Sequence, residues 1–169
     1  MRALKVLAVG VVLFGLWGQP AAQAANPASG SISKSKRSVS WSGGPIYLSQ
    51  PNPAASDCLG GSDDPTCDYF MLKITNLGEG AKVQVKVTTA RPNTDDGVNG
   101  VQGDDYDLFV YAPNGALVAE GANPRGNETA EFRHRKQYNG KSYEVRITPW
   151  LVVPGSSYKG TAKALTVGR

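Results

Sequence analysis

The chain has 169 residues, with 18 Lys and Arg against 14 Asp and Glu, one His and two Cys. So nearly balanced a charge argues against a polybasic nucleic-acid binder, and one His with two Cys leaves too few ligands for a zinc cluster. No segment reaches the roughly 18 uninterrupted apolar residues of a membrane span.

At the start, Arg2 and Lys5 precede an apolar run from Val6 to Trp17, and Ala22-Gln23-Ala24 supplies the small-x-small pattern that a signal peptidase reads. Residues 1–24 are therefore expected to be a signal peptide cut after Ala24. The product is a secreted, extracellular protein, or a periplasmic one, with no membrane attachment after cleavage. The 18 basic residues lose Arg2 and Lys5 with the leader, which leaves 16 against 14 acidic ones, a net charge of +2. The remaining 145 of the 169 residues suit a single domain. A monomer without a nucleic-acid partner is expected.

Residues 25–38 are rich in Ser, Gly and Asn and read as a flexible polar arm, with Lys34, Lys36 and Arg37 solvated rather than lining a groove. A single domain is expected over 39–168. Short apolar segments recur there between turn signals, without a sustained helical period. Val39 alternates with Trp41, Ile46 with Leu48, and Phe70, Leu72 and Ile74 share one strand face. Val83, Val85 and Val87 alternate with Lys82, Gln84, Lys86 and Thr88, the pattern of a half-buried strand. Further strands are expected near 106–111, 117–119, 129–132, 143–148 and 158–165. Eight or so short strands imply an all-β fold, a two-sheet antiparallel β-sandwich of jelly-roll or Greek-key type. Cys58 and Cys67 bracket a turn-rich loop in an exported chain, which predicts a disulfide between them.

The segment Asp104-Asp105-Tyr106-Asp107-Leu108-Phe109-Val110-Tyr111, followed by Pro113-Asn114-Gly115 and Leu117-Val118, describes a β-hairpin with three carboxylates at its entrance. Asp104, Asp105 and Asp107 offer hard oxygen ligands suited to calcium, with Asp95, Asp96 and Glu128 as further candidates. The competing reading makes these acids turn caps or partners of Arg133, Arg135 or Arg146. Asp57, Asp63, Asp64 and Asp68 form a second acidic group around the disulfide, a weaker cation candidate than the first, in which Asp63-Asp64-Pro65 is better read as a turn. Phe109 and Tyr111 should form the more accessible side of their strand and are the candidate ligand-binding aromatics. Trp41, Trp150 and Tyr138 are further aromatics, most of them expected in the core. The single His134 lies within Arg133-His134-Arg135-Lys136, where adjacent positive charge should depress its pKa. No nucleophile elbow or nucleophile and base pair stands out, so an enzyme is not expected.

The succession Cys67-Asp68-Tyr69-Phe70 with Leu72, then Asp105-Tyr106-Asp107-Leu108-Phe109-Val110-Tyr111, Pro113-Asn114-Gly115, Gly140-Lys141-Ser142-Tyr143-Glu144-Val145-Arg146-Ile147 and Tyr158-Lys159-Gly160 resembles the bacterial pre-peptidase C-terminal domain. The resemblance spans roughly residues 39–167. It implies a non-catalytic β-sandwich that accompanies secreted hydrolases, particularly proteases. The related collagen-binding domains of clostridial collagenases are similar in fold and bind calcium. The module is expected here without an enzyme domain in the same chain, unlike the usual arrangement. The expected function is thus a non-catalytic binding or accessory module for an extracellular polysaccharide or protein, with calcium as a candidate stabilising ion. The alternative is a secreted inhibitor or chaperone of a separately encoded protease.

Overall fold

The computed structural model describes residues 25–47, 49, 67–94, 103–124 and 126–168. The expected signal peptide, Cys58, Asp57, Asp63, Asp64, Asp95 and Asp96 lie outside the described residues. Nine strands are described: β1 Ser29–Ser33, β2 Ser38–Ile46, β3 Asp68–Thr75, β4 Lys82–Thr89, β5 Asp105–Tyr111, β6 Leu117–Gly121, β7 Glu128–Arg133, β8 Ser142–Leu151 and β9 Ser156–Ala164. They build a two-sheet β-sandwich, with strand order β1-β3-β8-β5-β6 in one sheet and β2-β9-β4-β7 in the other. Every named ladder is antiparallel except β1 with β3.

Alternation decides which residues fill the space between the sheets. Val83, Val85 and Val87 of β4, Phe70, Leu72 and Ile74 of β3, and Tyr106, Leu108 and Val110 of β5 are all fully buried. Trp41 of β2 stacks on Phe70 of the opposite sheet, with ring centroids 3.9 Å apart and planes within 5°. Gly160 of β9 lies directly beneath that indole, and a Cβ there would overlap it. The predicted turn at Pro113-Asn114-Gly115 joins β5 to β6, closed by Gly115 N–H donating to Ala112 O at 2.8 Å, with Gly115 at φ +81°. Only glycine takes that conformation without strain.

Two expectations need correcting here. The polar arm is no arm over most of its length. Residues 29–33 form β1, Ile32 is fully buried and Ala25 is 3% exposed. The low apolar content misleads because β1 is a parallel edge strand held by its ladder to β3 (Ser29↔Met71 through Ser33↔Thr75), so a single inward isoleucine suffices to seat it. The segments around Val39 and Ile46 are also one strand rather than two, with a register shift against β9 between Gly43 and Ile46.

Candidate functional site

The strand β5 sorts its side chains by parity. Leu108 and Val110 point to the core, while Asp105, Asp107, Phe109 and Tyr111 share the outer face of the five-stranded sheet. Across the ladders Tyr69, Arg146, Phe109 and Glu120 fall in one row, and Met71, Glu144, Tyr111 and Leu117 in the next. The Arg146 guanidinium lies 4.1 Å from the Tyr111 ring centroid and 5.9 Å from that of Tyr69, and its Nε pairs with Glu144 Oε1. Carboxylate, guanidinium and aromatic ring are thus assembled, each half-buried, on the outer face of the sheet.

Phe109 is more deeply buried. It is 6% exposed and lines a recess of about 360 Å³ with Asp105, Asp107, Ala122, Asn123, Pro124 and Trp150. The expectation of an accessible Phe109 is corrected: its face is the predicted one, but the connection after β6 and Trp150 close around that end. Tyr111 is half-buried under Arg146.

The three acids of the hairpin entrance part company. Asp104 Oδ2 accepts from Thr89 Oγ1 at 2.7 Å, its Oδ1 accepts from Val153 N–H at 3.0 Å, and Arg91 Nε stands 3.9 Å from Oδ2. It is a structural acid with both oxygens in use. Asp105 and Asp107 instead line the recess. Asp105 is 4% exposed, and its Oδ1 has no hydrogen-bond partner among the described residues. Burial raises its pKa, opposed by a hydrogen bond from the Gly126 backbone. Asp107 is pushed up to about 6 by burial and by the charge of Asp105.

Glu128, the first residue of β7, joins them from the neighbouring sheet. Its Oε1 accepts from Asn123 N–H at 3.2 Å. Burial pushes it up to about 7, and Asp105 and Asp107 both add to the shift. Gly121 leaves it room, since a Cβ there would stand 2.9 Å from Glu128 Oε2. As placed, no three His, Cys, Asp or Glu side chains among the described residues form a group able to hold a metal ion. Asp104 turns to Thr89 and Val153, whereas Asp105 and Asp107 face the recess.

His134 is fully buried, with Nδ1 3.0 Å from the Tyr143 hydroxyl. Its pKa is lowered, as expected, but burial is the main cause, and Glu79 pulls the other way. Asp68, named with the second acidic group, opens β3 and is 2% exposed. Cys67 precedes it, buried, with Sγ 3.8 Å from Thr148 Oγ1.

No protein-family model matches the chain, and no curated protein matches it. Among solved structures it is similar to the pre-peptidase C-terminal domain of collagenase from Bacillus anthracis, at 12% identity and a TM-score of 0.46, over 80% of this chain and 94% of that chain. The all-β class rests on the ladders themselves.

Proposed function

We propose that the domain is an exported, non-catalytic binding module of pre-peptidase C-terminal type, which engages an extracellular polymer or protein through the outer face of its five-stranded sheet. The observation that carries this reading is the clustering of Tyr69, Arg146 and Tyr111 beside a recess lined by Phe109, Trp150 and two carboxylates. Tyr, Trp and Arg are the side chains that dominate binding energy at protein surfaces, because each offers a large contact area and a polar handle. Aromatic rings flanked by carboxylates also suit sugar rings. The assignment to an accessory type rests on the sequence motifs, most of whose residues fall in β3, β5, β8 and β9, with Pro113-Asn114-Gly115 in the β5–β6 turn. The predicted disulfide between Cys58 and Cys67 belongs to the same reading.

Retention of the mature protein on insoluble polysaccharides and on protein baits, a secreted protease among them, tests it. Tyr111→Ala should reduce retention at a smaller cost to the fold than a core truncation, the stacking with Arg146 contributing about 0.5–1 kcal/mol of it. Leu108→Ala should cost about 2–5 kcal/mol, because it opens a cavity between the sheets. Equal retention by Tyr111→Ala and the parent protein would remove the face from consideration. Thermal melts with chelator and with millimolar calcium belong to the same experiment. A rise with calcium that disappears in Asp105→Asn/Asp107→Asn would add the metal to this reading, and coincident curves would leave the recess to organic ligands.

A further inference from the structure

The segment leading into β1 is pinned on both sides. Asn26 exchanges two backbone hydrogen bonds with Ser42 of β2, at 2.7 and 3.0 Å, and Met71 N–H of β3 donates to Ala28 O at 3.0 Å. Ala25, 3% exposed, adjoins the antiparallel Asn26↔Ser42 bridge and so lies opposite Gly43, where the Asp68 carboxylate sits, and the nearness of its backbone N–H lowers the Asp68 pKa. That carboxylate accepts from the Tyr158 hydroxyl at 2.6 Å and from Tyr69 N–H at 2.7 Å. Gly43 admits it, since a Cβ there would collide with Asp68 Oδ2 and the Tyr158 ring. Every one of these donors is neutral, and no Lys, Arg or His among the described residues pairs with Asp68. A carboxylate buried without a cation is expensive, and burial accordingly pushes Asp68 up to about 6.

The sequence supplies a cation at the nitrogen that already faces this carboxylate. Cleavage after Ala24 adds water across the Ala24–Ala25 peptide bond. Ala24 leaves with the leader as a new carboxylate, and the Ala25 nitrogen takes up protons to become an α-ammonium. We propose that Asp68 is a built binding site for the chain's own α-ammonium at Ala25, so that leader removal creates a buried ion pair fastening the N-terminal segment between the two sheets. In the uncut chain the same atom offers one neutral N–H. In the cut chain it offers a positive charge and charge-assisted hydrogen bonds, which are about twice as strong as neutral ones. A single residue added before Ala25 turns the ammonium back into an amide. The inference rests on the reading of the chain as exported and cut after Ala24.

Proteins with defined N-termini separate the pairing from the processing. One begins at Ala25, a second carries one extra Gly before Ala25, and both are also made with Asp68→Asn. The protein beginning at Ala25 should melt at least about 4 °C above the Gly-extended one, a gap that Asp68→Asn closes. Its α-amine should also react with an amine-acylating reagent about tenfold more slowly than that of the Gly-extended protein, a readout that stands even where Asp68→Asn fails to fold. Equal melting temperatures together with equal labelling rates would overturn the ion pair. Mass spectrometry of the exported protein should find Ala25 as its first residue. Another first residue would overturn the processing step while leaving the measured affinity of Asp68 for the α-ammonium intact.

Discussion

At Glu128 the fold buries an acid among acids. Its folded pKa of about 7 and that of Asp107 at about 6 stand above the ordinary carboxyl values of 4.5 and 3.8. Between those limits the folded chain holds protons that the unfolded chain has released, so stability falls as pH rises through that window and levels off above it. Glu128→Gln keeps an Oε1 acceptor for Asn123 N–H and removes the charge. The variant should therefore melt at a higher temperature than the parent at pH 8, and the two should converge near pH 4, where the parent's carboxyl is already protonated. Melts across that range check this. A variant less stable at pH 8 would mean that a cation compensates the carboxylate in solution. The candidate site was legible one residue at a time: Asp105, Asp107, Glu128, Phe109 and Trp150 each stand out by type. Sequence spacing could not separate Asp104 from its neighbours, because that separation depends on Thr89 and Val153 reaching it from other parts of the chain.

At the scale of elements, the strands with clean alternation were readable and the edge strand was not. In β4 three valines alternate with polar residues, and the pattern alone gives both the strand and its buried face. β1 offers Ser-Gly-Ser-Ile-Ser, where one apolar residue in five gives no period to count. Its structure comes from a partner distant in sequence, since Ile32 sits in the core opposite Ile74 in the β1–β3 register. A solvated arm would tolerate any substitution there. In this fold Ile32→Ala should cost about 2–5 kcal/mol, the range for emptying a fully buried isoleucine site. Urea unfolding measures it, and a loss below about 0.5 kcal/mol would restore the arm. The accessibility of Phe109 failed for a related reason: parity gives the face of a strand, whereas the cover over that face comes from the β6–β7 connection.

Among the described strands, the chain crosses between the two sheets at almost every step, and β5–β6 is the one consecutive pair joined within a sheet. Native contacts are therefore mostly distant in sequence, which makes folding slow and dependent on the last strand. β9 lies between β2 and β4, so the four-stranded sheet is in two pieces until residues 156–164 arrive. That strand also delivers Tyr158, Ala162 and Ala164 to the core, Gly160 beneath Trp41, and the hydroxyl that hydrogen-bonds Asp68. Losing the Tyr158 side chain, worth several kcal/mol alone, together with the β2–β9 and β4–β9 ladders is comparable to the roughly 5–15 kcal/mol by which an ordinary domain is stable. A chain ending at Gly155 should consequently show neither the near-ultraviolet circular dichroism of packed aromatics nor a cooperative melt. Adding a peptide of residues 156–168 in excess should restore both, because β2 and β4 keep the complementary edges. A cooperative melt in the truncated chain alone would show that β2 and β4 can pair directly, and that the strand order is not what closes this sandwich.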